Sequence, residues 1–155
     1  MALGDSYCEA SIGMDMIRLG ADYLRGAKSR LMDAESALKR GDYPEVVRYS
    51  QEAVELSLKA CLRMAGIEYP KVHDVSDELK FNASKFPTWF STGIDEFARI
   101  SAELAIKRAA SMYGIEAAGK GPSDLFDKEE AELSMREAKL VYEKSERLFN
   151  EFKKQ

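Results

Sequence analysis

Apolar residues recur every three or four positions through most of this chain, which is the spacing of one buried face of an α-helix. A first stripe of this kind runs from Met14 to Leu38, and a second runs from Val47 to Ala65. Gly41 stands between the two, and glycine readily adopts the left-handed backbone that ends a helix. So short a connection predicts a tight antiparallel hairpin of two helices.

The second half of the chain repeats the pattern with clearer boundaries. A short helix is predicted over residues 75–85 and ends before Pro87, and a longer helix is predicted over residues 88–112. A segment with several glycines then leads to the last helix, which follows Asp127. Residues 1–12 contain glycine, aspartate and serine in succession, and we predict that they form a loose N-terminal arm.

Two pairs of acidic residues, each three positions apart, mark helix starts. Asp42 with Glu45, and Asp127 with Glu130, match the capping box, in which the two side chains bind each other's backbone amides. These patterns together predict an all-α fold, an antiparallel up-and-down bundle of about five helices, of which four are long and one is short. The chain is short enough for a single domain covering residues 1–155.

Charge and composition narrow the classes of function. The net charge is −4, so contact with nucleic acid would require a local basic patch. No run approaches about 18 apolar residues, which predicts no membrane span. The first residues lack the pattern of a secretory signal. We therefore expect a cytoplasmic protein whose two cysteines, Cys8 and Cys61, are reduced.

Arg108 is the most informative single position. It falls on a stripe that otherwise faces other helices, and burying a charge is costly unless the charge is paired. Either Arg108 finds a partner, a ligand or a cleft, or its long side chain reaches solvent at the edge of the stripe near the helix end. Lys107 and Tyr113 would add a second cation and a stacking ring to a pocket there. The other members of the stripe are Phe97, Ser101 and Leu104.

His73 is the second candidate, because histidine alone titrates near neutral pH without perturbation. Asp74 follows it and could orient one ring nitrogen, as a general base requires. The alternative is an ordering contact at a helix start. One histidine and two distant cysteines provide no spacing suited to a metal site, and no glycine cluster follows a strand. We expect neither a metal nor a cofactor.

Three motifs in order resemble one known family. They are Gly41-Asp42-Tyr43 at the hairpin, Ala53-Val54-Glu55 through Lys59-Ala60 on the second helix, and His73-Asp74 before the short helix. These resemble the gly-asp-tyr turn, the ala-x-glu-x-x-x-lys-ala helix and the his-asp step of the HEPN family of helical bundles. The resemblance extends over roughly residues 13–113, and the last helix fits by length.

The resemblance implies an antiparallel bundle, a homodimer with a cleft between protomers, and a prokaryotic cytoplasmic setting, often beside a small nucleotidyltransferase partner. Many members of the family are metal-independent ribonucleases that use an arginine and a histidine four to six residues apart on the late helix. Here Arg108 occupies the arginine position, and Tyr113 stands where the histidine would be. A phenol with a pKa of about 10 is a poor general base at neutral pH.

Three hypotheses follow. The first is a non-catalytic binding module that holds a nucleotide, RNA or a nucleotidyltransferase partner in an inter-protomer cleft lined by Arg108, Lys107 and Tyr113. The second is a metal-independent endoribonuclease of the toxin type, in which Arg108 holds the phosphate and His73 replaces the missing base. The third is a scaffold subunit without a ligand, such as the antitoxin-binding member of a toxin–antitoxin pair.

Overall fold

The computed structural model of the chain describes the backbone of residues 2–155 and the side chains of residues 13–155. The chain is 80% helical, and residues 2–155 contain no strand, which confirms the all-α prediction. Within residues 2–155 four α-helices are long, as predicted, but two are short rather than one. The helices are α1 (Ala2–Lys39), α2 (Tyr43–Met64), α3 (Ser76–Phe81), α4 (Thr88–Ser91), α5 (Ile94–Tyr113) and α6 (Lys128–Lys153).

The central element is α2, which packs against α1, α5 and α6. Its sequence explains this position, because small and branched apolar residues occupy more than one side of the helix and can be buried only between several neighbours. The predicted hairpin joins it to α1, where Gly41 has a φ of +75° and the amide of Asp42 donates to the carbonyl of Ala37 at 2.9 Å. The core residues of α2 with no solvent exposure include Val46, Val47, Leu58 and Leu62.

Aromatic side chains from α4 and α5 complete the core. The ring of Phe90 lies 4.8 Å from that of Phe86 and 5.2 Å from that of Phe97, measured between centroids, and Phe90 is fully buried. Burial of one such ring stabilises a fold by roughly 1.5–3 kcal/mol. The indole of Trp89 lies at the edge, where its nitrogen donates to Glu151 of α6 at 2.9 Å.

The predicted helix over residues 88–112 is interrupted in the structure. α4 ends at Ser91 and α5 begins at Ile94, with Gly93 as the N-cap residue of α5. The ring of Phe97 lies against Gly93, and a Cβ atom added at Gly93 would be 2.9 Å from Cζ of Phe97. The break is therefore coupled to the packing of Phe97, which apolar periodicity does not encode.

The structure also differs from the prediction at the N-terminus. A loose arm was expected over residues 1–12, but α1 begins at Ala2. The segment contains no proline, and a single glycine costs a helix only about 1 kcal/mol, so an existing helix can extend through it without a new nucleus. Met1 and the side chains of residues 1–12 lie outside the described part of the chain.

Neither of the two predicted capping boxes forms completely. Asp42 makes no side-chain capping bond at the start of α2, and Glu45 instead binds Arg48, with its Oε2 atom 2.6 Å from Nη2. At the start of α6 only half of the box forms. Asp127 accepts a hydrogen bond from the amide of Glu130 at 2.9 Å, whereas the carboxylate of Glu130 pairs with Lys107.

None of the described helices is long and apolar enough to cross a membrane.

Gly114 allows a test of the turn that follows α5. Its φ of +69° favours glycine, and a Cβ atom there would overlap the carbonyl oxygen of Lys120. We expect Gly114→Ala to lower the free energy of unfolding by about 3 kcal/mol, because the costs of backbone strain and of overpacking add to each other.

Gly119→Ala is the matched control, since Gly119 has a φ of +66° but no atom within 4 Å of the added Cβ. It should cost only about 1 kcal/mol, from strain alone. Denaturant titration measures both, and equal losses would contradict the overlap.

Candidate functional site

Arg108 lies on the side of α5 that faces α2 of the same chain. Its Nη1 atom donates to Oε1 of Gln51 at 2.8 Å and to Oε2 of Glu52 at 3.1 Å, and 23% of the side chain is exposed. The cost of placing a charge on an inward stripe is thus offset by an ion pair, as the sequence argument required. Within the described residues, Nε and Nη2 of Arg108 donate no hydrogen bond, so half of the guanidinium fork is unused.

Glu52 is the centre of a cluster of arginines. Nε of Arg30 on α1 lies 3.1 Å from one carboxylate oxygen, and Nη1 atoms of Arg48 on α2 and Arg108 on α5 lie 2.9 and 3.1 Å from the other. Arg48 also binds Glu45, and this hydrogen bond raises the pKa of Arg48. The cluster therefore contains three guanidinium groups and two carboxylates, which leaves an excess of one positive charge beside Arg108.

A chain of hydrogen bonds connects Arg108 to His73. Gln51 accepts from Arg108 through its oxygen and donates through Nε2 to Oε1 of Glu55 at 3.0 Å. The same carboxylate oxygen lies 2.7 Å from Nδ1 of His73, and the other oxygen of Glu55 accepts from Lys59 at 2.9 Å. Glu55 and Lys59 are the charged pair of the second sequence motif, and they tie the connector after α2 to the helix itself.

Glu55 is held in its charged form. Burial alone would raise its pKa, but hydrogen bonds from Gln51, Lys59 and His73 outweigh burial and lower the pKa below its ordinary value. An ionised Glu55 accepts a hydrogen bond from Nδ1–H of His73. A neutral imidazole in that tautomer carries its lone pair on Nε2, which is the arrangement that a general base or a second acceptor needs.

The orienting group for His73 is thus Glu55, and the prediction that Asp74 would orient it is wrong. The carboxylate of Asp74 instead accepts from the amide of Ser76 at 2.9 Å and from the hydroxyl of Ser101 at 2.8 Å. Asp74 therefore fixes the start of α3 to α5. Glu55 lies 18 residues before His73, and no local pattern relates the two positions.

Two adjoining pockets open over this network, and we call them together the α1–α2 groove. The smaller pocket, of about 150 Å³, includes both sequence candidates. The larger pocket, of about 400 Å³, shares three of its residues with the smaller one. The smaller pocket is lined by Arg30, Glu52, Glu55, Leu56, His73 and Arg108. The larger is lined by Tyr23, Glu55, Leu56, Lys59, Arg63, Tyr69, Lys71, Val72 and His73.

The groove is basic although the chain is acidic. Five cations and two carboxylates line it, an excess of three positive charges with His73 neutral, whereas the whole chain has a net charge of −4. A basic concave surface attracts anionic ligands, and low-dielectric walls strengthen that attraction. The groove is the local basic patch that the sequence argument required for nucleic-acid contact.

Lys107 and Tyr113 do not join Arg108 in this groove. Lys107 forms an ion pair with Glu130 of α6, and Tyr113 is 62% exposed at the end of α5. Successive residues of a helix are turned by about 100°, so side chains one and five positions from Arg108 face other directions. Tyr113 and Ile106 are seven positions apart on α5, so they lie on the same side of the helix, and both are exposed.

A cavity larger than either of these two pockets lies elsewhere in the described part of the chain. It has a volume of about 830 Å³ between the connector after α2 and the segment around α3. Its lining mixes three acidic and two basic side chains around the exposed ring of Phe81, and none of the network described above reaches it. We regard the α1–α2 groove as the better candidate, because paired titratable groups and unused donors converge there.

Comparison with models of known protein families gives a match. A model of the HEPN domain matches residues 21–148 of the 155-residue chain. The matched range includes every residue that lines the α1–α2 groove. Searches of curated proteins and of solved structures give no significant match.

The lowered pKa of Glu55 predicts how stability depends on pH. The carboxylate stabilises the fold above its ordinary pKa, and this contribution is lost as the pH falls through the lower folded-state value. At pH 7 we expect Glu55→Gln to cost about 1–3 kcal/mol of unfolding free energy. Below about pH 4 the difference from the unmodified protein should shrink. Urea titrations of both proteins at several pH values measure this difference in unfolding free energy.

The control for this prediction is Glu143→Gln, at an exposed glutamate of α6. It should change the free energy of unfolding by less than about 0.5 kcal/mol. A cost of Glu55→Gln that stays the same from neutral to acidic pH would mean that the charge of Glu55 is not what stabilises the network.

Proposed function

The chain belongs to the HEPN domain family, and from this premise we propose that it is a binding module that holds the phosphate of a nucleotide, free or within RNA, in the α1–α2 groove. The observation that carries the proposal is the half-used guanidinium of Arg108 in a basic groove of an acidic protein. The family assignment by itself supports a module whose function is related to nucleotides or RNA.

The donors in the smaller pocket suit a phosphate group. Arg108 keeps Nε and one terminal nitrogen free of described partners, and Arg30 uses only Nε to bind Glu52. A guanidinium donates two parallel bonds to phosphate oxygens, and a partly buried cation is screened less by salt than an exposed one. A pocket of about 150 Å³ is smaller than a typical site for a whole small molecule, so it suits the phosphate alone.

The proposal uses only residues of one chain, which line the groove described above. The homodimer and the nucleotidyltransferase partner implied by the family resemblance stay predictions. In this proposal Arg108 carries the ligand role that the sequence assigned jointly to Arg108, Lys107 and Tyr113.

Replacing Arg108 tests the binding proposal. We expect Arg108→Ala to weaken binding of a labelled single-stranded RNA of about ten nucleotides by roughly 10- to 100-fold, because charge-assisted hydrogen bonds are lost. The slope of log affinity against log salt should also fall by about 0.7. The affinity of Arg108→Lys for this RNA should lie between that of the unmodified protein and that of Arg108→Ala, because lysine retains the charge but not the planar fork. Fluorescence anisotropy at several salt concentrations measures the affinities of all three proteins.

The matched control is Arg99→Ala on the same helix, where the guanidinium pairs with Glu103 and Glu137 outside the groove. It should bind RNA as the unmodified protein does. Equal losses for Arg99→Ala and Arg108→Ala would reject the pocket. Calorimetric titration with adenosine monophosphate distinguishes a free nucleotide from RNA as the ligand. Failure of the unmodified protein to bind RNA, the nucleotide or pyrophosphate would favour the scaffold hypothesis.

A second candidate function is supported by the position of His73. It lines the same small pocket as Arg108, and Glu55 orients its ring. In this second proposal Nε2 of His73 removes the proton from a ribose 2′-hydroxyl, whose oxygen then bonds to the adjacent phosphorus. The 5′-oxygen leaves and takes a proton from water, which gives a cyclic phosphate and a 5′-hydroxyl end. Arg108 would hold the phosphate oxygens, and no metal takes part.

Removal of the imidazole tests this second candidate. We expect His73→Gln to slow RNA cleavage in the presence of EDTA by about 100-fold or more, which is the usual contribution of a general base. Binding of RNA should change much less, since Arg108 remains. Gel analysis of an end-labelled RNA measures the rate and identifies the product ends. Cleavage that survives both His73→Gln and Arg108→Ala would discredit this site. If the unmodified protein does not cleave RNA, the second candidate function is rejected and only the binding module remains proposed.

A further inference from the structure

The larger pocket of the α1–α2 groove contains aromatic and cationic side chains that the proposed phosphate binding does not use. We infer that Tyr69, stacked with Arg63 and flanked by Tyr23, forms a stacking subsite for an unpaired nucleobase next to the phosphate held by Arg108. This inference rests on the proposed function, and it identifies the ligand as a nucleotide unit whose base is not paired.

The first argument is the stack itself. Cζ of Arg63 lies 4.5 Å from the centroid of the Tyr69 ring, and Nζ of Lys59 lies 5.3 Å from it. A guanidinium over an aromatic ring makes a planar, positively charged platform. Proteins that bind single-stranded nucleic acid stack bases on aromatic rings and on arginine planes of this kind.

The second argument is that two of the three cations of this pocket form no ion pair with a described carboxylate. Arg63 and Lys71 have no carboxylate within ion-pair distance among the described residues, and Nε of Arg63 is buried without a hydrogen-bond partner. A buried unpaired donor is costly in a folded protein unless it serves a ligand or another group. Burial raises the pKa of Tyr69, the hydrogen bond with Arg63 opposes this and Tyr23 adds to it, so the phenol stays uncharged beside an anionic ligand.

The third argument is size and continuity. The larger pocket has a volume of about 400 Å³, within the range of sites for small molecules. It shares Glu55, Leu56 and His73 with the phosphate pocket, so the two pockets adjoin. A small polar pocket for the phosphate, next to a larger pocket with rings and apolar side chains, matches the two ends of one nucleotide.

The test compares two probes of equal length, a single-stranded oligoadenylate and an abasic ribose–phosphate oligomer. We expect the unmodified protein to bind the oligoadenylate more tightly. Tyr69→Ala should weaken binding of the oligoadenylate by about tenfold, with no change for the abasic probe and no change in the salt dependence. Tyr69→Phe, which keeps the ring, should retain the preference for the oligoadenylate over the abasic probe.

Tyr113→Ala is the matched control, because Tyr113 is exposed and lies outside the groove. It should leave the affinity for both probes unchanged. A second measurement does not depend on a variant that folds: an RNA containing 2-aminopurine should lose fluorescence when the unmodified protein stacks the base.

Each contrary outcome has a defined meaning. Tyr69→Ala with unchanged affinity for oligoadenylate, while Arg108→Ala still weakens binding, would overturn the stacking subsite and leave the proposed function intact. Equal loss of both probes in Tyr69→Ala would also overturn it, because Tyr69 would then only shape the groove. Absence of 2-aminopurine quenching would do the same. No binding of either probe by the unmodified protein would overturn the proposed function as well.

Discussion

The structure depends on how the polar residues of a central helix are satisfied. α2 packs against α1, α5 and α6, so its polar side chains cannot all reach water. Gln51 is only 2% exposed, and the neighbouring carboxylates of Glu52 and Glu55 are largely covered. A buried charge is tolerated when it is paired and hydrogen-bonded. Partners therefore converge on α2 from three directions. They are Arg30 of α1, Arg108 of α5 and His73 of the connector.

This requirement also builds the groove. Because one carboxylate is shared by three arginines, the guanidinium groups are held in place without being fully neutralised. Fixed donors with unused capacity are what a phosphate site requires, since a ligand then binds without first ordering the side chains. The same helix orients His73 through Glu55, so phosphate binding and acid–base chemistry are options that one network supports.

The sequence predicted the helices better than it predicted the site. Apolar periodicity and Gly41 located the α1–α2 hairpin, and Asp127 located the start of α6. The failures occurred where tertiary contacts compete with local preferences. The helix over residues 88–112 breaks at Gly93 where the ring of Phe97 packs, and in the capping box predicted at Asp42 the carboxylate of Glu45 binds Arg48 instead of the backbone.

The sequence alone determined that Arg108 would lie on an inward stripe, because the helical period is a local property that 100° per residue establishes. Only the tertiary structure decided what Arg108 meets, since Gln51 is 57 residues away and its contact depends on the rotation of α2 against α5. The same holds for His73 and Glu55, and for the Arg63–Tyr69 stack beside them. Helix packing determines which polar faces contact each other, and the spacing of residues within one helix does not predict those contacts.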